Sequence, residues 1–460
     1  MNLIELFKYL PTMRIEVLDY KVNKVGGKKC DLKISFSFTT NSGIVKNSAA
    51  EIDMMMLSYF VGRVPAITTS FLYFSALIYA IDRSISREEH SIDGWSRELD
   101  VVIKIPCHEV YDAHRMRITA MLSYLTGDYW TLSFQEAPSF SLIKYKKCDY
   151  FDDIAQVNLF SGGLDSLIGA IDFMTQYPKK KLFLASHYDS DMSGPRNDQE
   201  KLLHCFASKY SGQYVVFSKR NSIRIGSKIS AETSCRSRSI MFIAIALQIA
   251  EYNKSKIIIP ENGSVSLNYP LSPSRRSSCS TRTTHPVVLN QVNKIFEDFG
   301  FTAQVENPYE LMTKGEMVRD CKDLPYLLNI LSDSNSCGKR TRRQFFYDNR
   351  HATHCGHCMP CMYREASLVG YEDKTLYGNE LDSLFKQKQL QLTDDFFAML
   401  NFLKTDLTED DIKKELRIAK VNTLPHFEKY VDLVVRTRTE LISLISSKGS
   451  NELKRYIGII

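Results

Sequence analysis

Residues 161–166, with the sequence SGGLDS, combine residue types that can bind a phosphate group. They follow the apolar run VNLF at 157–160 and precede a sequence typical of a helix. Glycine tolerates backbone angles that other residues avoid, so the serine and two glycines can form a loop whose N–H groups converge on one anion. The helix dipole and the Ser166 hydroxyl would strengthen this site. Asp165 is unusual beside an anion, and we expect it either to serve Mg²⁺ or to cap the turn.

Four of the eleven cysteines form the pattern C-x17-C-x2-C-x2-C. They are Cys337, Cys355, Cys358 and Cys361. Two-residue gaps let successive thiolates reach one metal ion, and a site of four sulfur ligands favours a structural Zn²⁺. An iron–sulfur cluster is the alternative, although the ferredoxin pattern requires a cysteine where this chain has Glu365. His354 and His357 could replace a ligand, but we interpret them as exposed turn residues.

Four further polar residues are candidates for binding a substrate: Glu261, Asn262, Arg282 and His285. Glu261 and Asn262 directly follow the apolar run KIIIP, where they could bind a purine edge; an Asn-Gly turn explains them equally well. Arg282 lies in a Ser/Thr-rich stretch that forms either a solvated loop or a lid whose arginine pairs with a carboxylate or pyrophosphate. His285 belongs to that lid or caps the helix that begins at Pro286.

The elements that would position these residues alternate between about 152 and 310. The apolar runs VNLF, KLFLASHY, YVVFS and KIIIP are each followed by a helical pattern. This rhythm predicts βαβ units, hence an α/β fold with a parallel sheet, helices on both faces and a ligand site at the C-terminal ends of the strands.

The flanking regions have different patterns, which predict three domains. These are an N-terminal α+β domain at 1–150, a central domain at 151–370 and a helical C-terminal region at 371–460. Strands in the first are expected where apolar and polar residues alternate, as at Leu99, Val101, Ile103 and Ile105, and helices at about 65–82 and 112–125. In the last, Thr393 and Thr408 are predicted N-caps, and an amphipathic helix is expected around 431–445.

SGGLDS after an apolar strand resembles the SGGxDS signature of the PP-loop, or N-type ATP pyrophosphatase, family; a plain strand-to-helix turn is the alternative. The family binds ATP, releases pyrophosphate and attaches AMP to a substrate oxygen. The chain contains no GxxxxGK[ST] sequence, which disfavours a P-loop NTPase. The resemblance implies that ATP with Mg²⁺ binds the residues Phe160, Ser161, Gly162, Gly163, Leu164, Asp165 and Ser166. Asp165 and Ser166 would then be catalytic.

Together with CGHCMPC, the SGGLDS loop resembles the 7-cyano-7-deazaguanine synthase (QueC) family over about 155–370. Two further segments are similar to that family, NPYELMTKGEMV at 307–318 and CRSRSIMFIAIA at 235–246. The resemblance implies a PP-loop domain with a zinc knuckle that adenylates the carboxylate of 7-carboxy-7-deazaguanine. In housekeeping members ammonia then gives the amide, and a second ATP drives dehydration to the nitrile.

Housekeeping members lack the N-terminal 150 residues. DGWSRELDVVIKIP at 93–106 and LSYLTGDYWTLSF at 122–134 are similar to the QueC-like proteins of anti-phage systems, above all the QatC family of the Qat system, with one CBASS type next. This resemblance implies a protein acceptor, the N-terminal amine of a partner, with the N-terminal domain docking that partner. The expected partners are the ATPase, the QatB-like acceptor protein and the TatD-like nuclease of the same system.

The amino-acid composition excludes several classes of protein. Hydrophobic residues make up 44% and charged residues 24%, which excludes a collagen-like or wholly disordered chain. The net charge of +6 is too small to imply nucleic-acid binding. The run KRTRR at 339–343 is either a solvated surface or a contact for an acidic partner or nucleic acid. A PP-loop tRNA-modifying enzyme and a non-catalytic scaffold therefore stay as alternatives.

The longest apolar stretches, Phe71 to Ile81 and Ile240 to Leu247, are shorter than the roughly 20 residues that cross a bilayer. The N-terminal sequence lacks a cationic leader and a small-residue cleavage site. We therefore expect a cytoplasmic protein without a membrane span, in which clustered thiols bind metal rather than form disulfides.

Overall fold

The fold is α/β, with a six-stranded mixed sheet, a five-stranded parallel sheet and helices packed on them. The computed structural model describes residues 13–25, 29–39, 43–52, 57, 59–137, 153–186, 193–217, 223–226, 232, 234–271, 282–386 and 390–460. Within these residues, the α/β class and the parallel sheet predicted from the sequence are confirmed. The division into three domains stays a prediction.

The mixed sheet is built mainly from the N-terminal region. Its strands are β1 (Met13–Val25), β2 (Lys29–Thr39), β3 (Val45–Ile52), β4 (Glu98–Ile105), β5 (Tyr129–Glu136) and β9 (Ile223–Gly226), in the order β5-β4-β1-β2-β3-β9. The alternation predicted for β4 is confirmed, because its four apolar side chains are all buried. Strand β9 pairs antiparallel with β3, so a segment from the middle of the chain extends the N-terminal sheet.

The helices of the N-terminal region are α1 (Ala66–Ser84), α2 (Arg87–His90), α3 (His108–Ala113) and α4 (Arg115–Thr126). Helix α1 confirms the apolar helix predicted at about 65–82, and every residue from Ser70 to Asp82 is buried. The helix predicted at about 112–125 is divided into α3 and α4, because His114 has ψ near 16° and interrupts the helical backbone. Among the described residues, no helix has the length and apolar character needed to cross a membrane.

The parallel sheet follows the predicted βαβ rhythm. Its strands are β6 (Ile154–Leu159), β7 (Lys181–Ala185), β8 (Tyr214–Phe217), β10 (Lys256–Ile258) and β11 (Val305–Glu306), in the order β11-β10-β6-β7-β8. The helices between and after them are α5 (Leu164–Gln176), α6 (Ser193–Lys209), α7 (Arg238–Asn253), α8 (Gly263–Ser266), α9 (Pro286–Asp298), α10 (Lys314–Arg319) and α11 (Leu324–Ile330). Strand β11 has only two residues, too few for a sequence pattern to reveal.

Helices cover both faces of the parallel sheet. Successive side chains of a strand point to opposite faces, so each strand contributes to two cores. Phe183 and Ala185 of β7 join a core that contains α1 and α7. Leu182 and Leu184 point the other way, into a core built by α5 and α6. Since the first core also contains residues of β1, β2 and β4, the N-terminal region and the parallel sheet share one hydrophobic core.

The C-terminal part of the chain is helical, as predicted. Its helices are α12 (Met359–Ser367), α13 (Leu381–Lys386), α14 (Leu390–Lys404), α15 (Glu409–Ile418), α16 (Phe427–Lys448) and α17 (Asn451–Tyr456). The predicted N-cap at Thr408 is confirmed by a capping box with Asp411. The predicted cap at Thr393 is wrong, because the helix has already begun at Leu390. The amphipathic pattern of α16 is confirmed except at Val435, which is 47% exposed.

Candidate active site and metal centre

The SGGLDS segment forms a tight turn between β6 and α5. Gly162 has φ near +87°, and a Cβ atom there would lie 3.2 Å from the backbone nitrogen of Gln199, so conformation and space both favour glycine. The Gly163 N–H donates to Ser161 Oγ at 3.3 Å, and the Ser166 hydroxyl donates to the Gly163 carbonyl at 2.9 Å. The two serine hydroxyls lie 3.3 Å apart. The turn therefore brings together the polar groups that the sequence predicted for a phosphate site.

Phe160 and Leu164, the two apolar residues predicted in this site, support the turn from below. The side chains of Phe160 and Leu164 are fully buried in the core beneath the turn. The Phe160 ring packs at 6.0 Å from the Phe206 ring of α6. These side chains anchor the turn, and only their backbone groups are available to it.

Asp165 is buried and bonded on both carboxylate oxygens. Lys314 Nζ lies 2.7 Å from Asp165 Oδ1, and the Asn262 side-chain amide donates to Asp165 Oδ2 at 2.7 Å. Burial alone would raise the pKa of the Asp165 carboxyl, but the Lys314 ammonium and hydrogen bonds from Glu261 and Asn262 outweigh burial and lower it. The capping alternative for Asp165 is wrong, because Gly163 occupies the N-cap position of α5.

Glu261 is hydrogen-bonded to Asp165. Burial and the adjacent Asp165 carboxylate raise the pKa of Glu261 well above its ordinary value. The raised pKa favours the protonated carboxyl, which donates this hydrogen bond to Asp165. We call Asp165, Glu261, Asn262 and Lys314 the cavity cluster. Two candidate substrate residues thus lie beside the predicted phosphate loop.

A cavity of about 350 Å³ opens beside the cavity cluster, at the C-terminal ends of β6 and β10. Its polar wall includes Ser161, Ser166 and Glu261. Its opposite wall includes Arg238 and Phe242 of α7, with the guanidinium 5.2 Å from the ring centroid. This volume lies within the range of small-molecule sites, and the position is the one expected for ligands of parallel α/β sheets.

The other two candidate substrate residues lie apart from this lining. The Arg282 guanidinium stacks 4.5 Å from the ring of Tyr124 and donates to the Tyr124 carbonyl at 3.1 Å. His285 is the N-cap of α9, where Nδ1 accepts from the Val287 N–H at 3.2 Å. Burial and the Arg282 charge lower the pKa of His285 to about 3, which keeps its ring neutral for this capping bond. Residues 272–281, which complete the predicted lid, lie outside the described residues.

The four clustered cysteines converge on one point. Their sulfur atoms all lie within 4.8 Å of one another; Cys358 Sγ and Cys361 Sγ are 3.4 Å apart, and Cys355 Sγ and Cys361 Sγ 3.8 Å. Tetrahedral Zn–S bonds of about 2.3 Å separate sulfur atoms by about 3.8 Å, so the arrangement suits a zinc-sized ion. The cluster could therefore bind a metal ion such as Zn²⁺.

The two histidines inside the cysteine pattern are not exposed turn residues, which corrects the prediction. His354 and His357 are buried. His354 Nε2 accepts from the Ser336 N–H at 3.4 Å, and His357 Nδ1 lies 3.2 Å from the Asn379 amide nitrogen. Their rings support the loops around the metal centre, and the group of convergent ligand atoms contains the four cysteines without them.

The segment that carries the first cysteine packs directly on the predicted phosphate loop. The Asn335 N–H donates to the Gly162 carbonyl at 2.9 Å, and the Leu164 N–H donates to Ser336 Oγ at 3.2 Å. Cys337 follows immediately in the chain. The cysteine cluster is therefore joined directly to a segment that buttresses the loop.

Two members of the basic run KRTRR are also paired. Arg340 pairs with Asp198, and a Cβ atom added to Gly162 would lie 3.2 Å from Asp198 Cβ. Lys339 Nζ lies 3.3 Å from Asp395 Oδ2. Arg342 and Arg343 are exposed. The interpretation of the run as a solvated surface therefore fits only part of it.

A second group of buried charges fixes the segment that leads into α7. We call Asp82, Arg87, Arg97 and Asp128 the N-terminal charge cluster. Arg97 binds Asp82 Oδ1 at 2.6 Å and Asp128 Oδ2 at 2.7 Å. Asp82 also accepts from the N–H and hydroxyl of Ser237 at 3.0 and 2.8 Å. The residue that follows Ser237 is Arg238 of the cavity, so the N-terminal region positions one wall of the site.

Sequence reasoning missed Lys314, Arg238 and Ser336 as members of the site. The first two lie in segments already singled out, NPYELMTKGEMV and CRSRSIMFIAIA. A lysine next to a threonine N-cap is a signal for Lys314, since the ammonium would be held at a fixed helix start. Nothing in the spacing of Ser336 indicates that it contacts a loop 172 residues earlier.

A scan against protein-family models, a search of curated proteins and a search of solved structures each found no match to this chain.

Proposed function

We propose that the chain is a PP-loop, QueC-like ligase that uses ATP to adenylate the carboxylate of 7-carboxy-7-deazaguanine and then joins the acyl group to an amine. The observation that carries this proposal is the cavity lined by the Ser161 and Ser166 hydroxyls and by Glu261, with the Asp165–Lys314 ion pair buried beside it. Such convergence of perturbed groups in a cleft is typical of active sites.

The first step would be transfer of AMP. A carboxylate oxygen of the substrate attacks the α-phosphorus of ATP, a new P–O bond forms, and the bond to pyrophosphate breaks. The turn at 161–166 would hold the phosphates, and Lys314, paired with Asp165 in the first turn of α5, would neutralise part of their charge. Asp165 and Glu261 bring two carboxyl groups together, and once Glu261 releases its proton they form an oxygen donor set that suits Mg²⁺. When bound there, Mg²⁺ would offset the charge of the leaving pyrophosphate.

The opposite wall of the cavity suits a flat aromatic acid. Arg238 can pair with a carboxylate through two parallel N–H bonds, and the Phe242 ring beneath it offers a surface for a fused heterocycle. The side-chain carbonyl oxygen of Glu261 adds an acceptor for a ring N–H of the substrate. These groups support a deazapurine carboxylate as the substrate.

The second step would form a C–N bond between the acyl carbon and the amine, which loses a proton as AMP leaves. We propose that the amine is the N-terminus of a partner protein in an anti-phage system of the Qat type, the other Qat proteins being the partners. The N-terminal region supports this, since it is extra to the parallel sheet yet is bonded to the segment before Arg238. A 7-cyano-7-deazaguanine synthase that uses ammonia and a PP-loop tRNA-modifying enzyme are the alternatives. The cysteine cluster would hold a structural Zn²⁺, and the reaction would take place in the cytoplasm.

The test is chemical. The purified chain is given ATP, 7-carboxy-7-deazaguanine and ammonium, with and without co-expressed partner proteins, and products are followed by chromatography and intact-mass analysis. The proposal expects pyrophosphate release and a deazaguanine-sized addition on a partner's N-terminus. Rapid, saturable formation of free nitrile without partners would favour the synthase instead.

A further inference from the structure

Helix α16 contacts both segments that supply the partners of Asp165. On the Asn262 side, Ser264 Oγ lies 2.6 Å from Thr437 Oγ1 of α16. A Cβ atom on Gly263 would lie 2.6 Å from Leu433 Cδ2 of the same helix, so the turn that carries Asn262 packs against it without spare room. The C-terminal helix is therefore part of the frame of the cavity cluster.

On the Lys314 side, Glu440 makes the polar contact that flanks the lysine directly. Its carboxylate accepts the Thr313 hydroxyl through Oε1 and the Gly315 N–H through Oε2 at 3.2 Å. A Cβ atom on Gly315 would lie only 2.3 Å from Glu440 Oε1. Thr313 and Gly315 are the two neighbours of Lys314, so this carboxylate binds the side chain before the lysine and the backbone after it.

We propose that Glu440 is a positioning residue for the reaction: it fixes the first turn of α10 so that Lys314 Nζ stays 2.7 Å from Asp165. The effect on turnover rests on the proposed function, whereas the effect on Lys314 does not. Other contacts of α16 with this region, from Arg436 to Glu316 and from Tyr430 to Glu310, do not involve Glu440. Removing the Glu440 carboxylate should therefore loosen the lysine without detaching the helix.

The direct measurement is the accessibility of Lys314. The full chain is treated with an amine-specific reagent, and labelling of Lys314 is followed by peptide mass spectrometry. In the native protein this side chain is 3% exposed and should label slowly. The Glu440 carboxylate accepts a free N–H of the first turn of α10, as a capping side chain does. Loss of such an acceptor commonly shifts a local equilibrium about tenfold, so E440A should label Lys314 about ten times faster. E440Q keeps one acceptor oxygen and should lie between the two. E428A, on the exposed start of the same helix, is the matched control and should match the native rate.

A second variant, at Gly315, disturbs the same contact between Glu440 and the start of α10. G315A places a methyl group where Glu440 Oε1 lies, so it should push the carboxylate away and expose Lys314 much as E440A does. In the E440A background that methyl has space, and G315A should add little. This non-additivity in a double-mutant cycle indicates one shared contact, and G315A carries the test if E440A folds poorly.

Kinetics complete the experiment. If Glu440 acts through Lys314, then E440A lowers kcat more than it raises KM for ATP, with partial rescue in E440Q. A lower melting temperature with Lys314 labelling and kcat unchanged would overturn the inference and leave Glu440 a packing residue. If the native chain forms no AMP, the proposed function fails while the labelling data still decide the position of Lys314.

Discussion

The N-terminal charge cluster and the cavity cluster, both among the described residues, differ in their surroundings. In the N-terminal charge cluster, the Arg97 side chain is bonded to Asp82, Asp128 and the carbonyls of Asp82 and Ile85. In the cavity cluster, two carboxyl groups meet one ammonium, and the pKa of Glu261 is raised as a result. Only the cavity cluster contributes to the lining of the 350 Å³ cavity.

Burial of charge alone therefore does not identify a functional site. The Asp82 carboxylate is 0% exposed, and burial alone would raise its pKa, but Arg97 and Arg87 outweigh burial and lower it. The two arginines of the N-terminal charge cluster balance its two aspartates through direct ion pairs, which is the property of a structural centre. An unmatched carboxyl beside a cavity can instead bind a ligand or exchange a proton.

The largest expected effect comes from removing a cysteine of the candidate metal centre. It should loosen the region of the cavity cluster and leave the N-terminal charge cluster intact. Replacing Cys358 with Ser removes one of four convergent sulfur atoms, and metal binding is coupled to folding in such sites. We expect hydrogen exchange to become fast at residues 161–166, which the 335–337 segment buttresses, while β4 stays protected. Chelation of the metal from the native chain should give the same pattern. Equal loss of protection in both regions would mean that the metal stabilises the whole fold.

Replacing Arg97 with Met should come next in size. Breaking a buried ion pair leaves an uncompensated carboxylate, which costs up to about 5 kcal/mol in the free energy of unfolding. Urea unfolding measures this value, and R14M, at an exposed ion pair with Arg14 61% exposed, is the control expected to change by less than about 1 kcal/mol. The folded fraction of R97M should still bind ATP with native affinity. Lost affinity in folded R97M would contradict a purely structural role.

Replacing Lys314 should cost less stability than replacing Arg97 but should remove activity. Replacing it with Met leaves Asp165 beside Glu261, whose proton can relieve the charge, so we expect a cost near about 3 kcal/mol, the low end for a buried pair. Pyrophosphate release should fall below detection even where the protein is folded. If K314M keeps its activity after correction for the folded fraction, the cavity cluster is structural in the same sense as the N-terminal one.

The smallest effect concerns the proton of Glu261. The pKa of Glu261 is higher in the folded protein than in the unfolded chain. Between these two pKa values only the folded protein holds the proton, so the free energy of unfolding declines as pH rises and levels off once folded Glu261 ionises. E261Q cannot ionise and keeps an N–H donor for Asp165. Unfolding free energies measured across this pH range should therefore decline less in E261Q than in the native chain. Identical pH dependence would show that Glu261 is unprotonated.

The local part of this molecule was predictable from its sequence. Alternating apolar residues predicted β4, the βαβ rhythm predicted the parallel sheet, and close spacing predicted the convergence of Cys355, Cys358 and Cys361. The contacts that complete the site join distant residues. Lys314 is 149 positions from Asp165, and no local pattern encodes that distance. The burial of His354 and His357 was missed because it depends on contacts outside their own turn, with Ser336 and Asn379, which lie 18 and 22 positions away.

The measurement that tests the central claim most directly is exchange of labelled pyrophosphate into ATP, dependent on 7-carboxy-7-deazaguanine. It reports the adenylation step alone, whatever amine follows. We predict exchange by the native chain and by R14M, and a loss of at least about 10²-fold in D165N, the size typical when a group that stabilises transition-state charge is removed. Native exchange in D165N, or no substrate-dependent exchange by the native chain, would contradict the account.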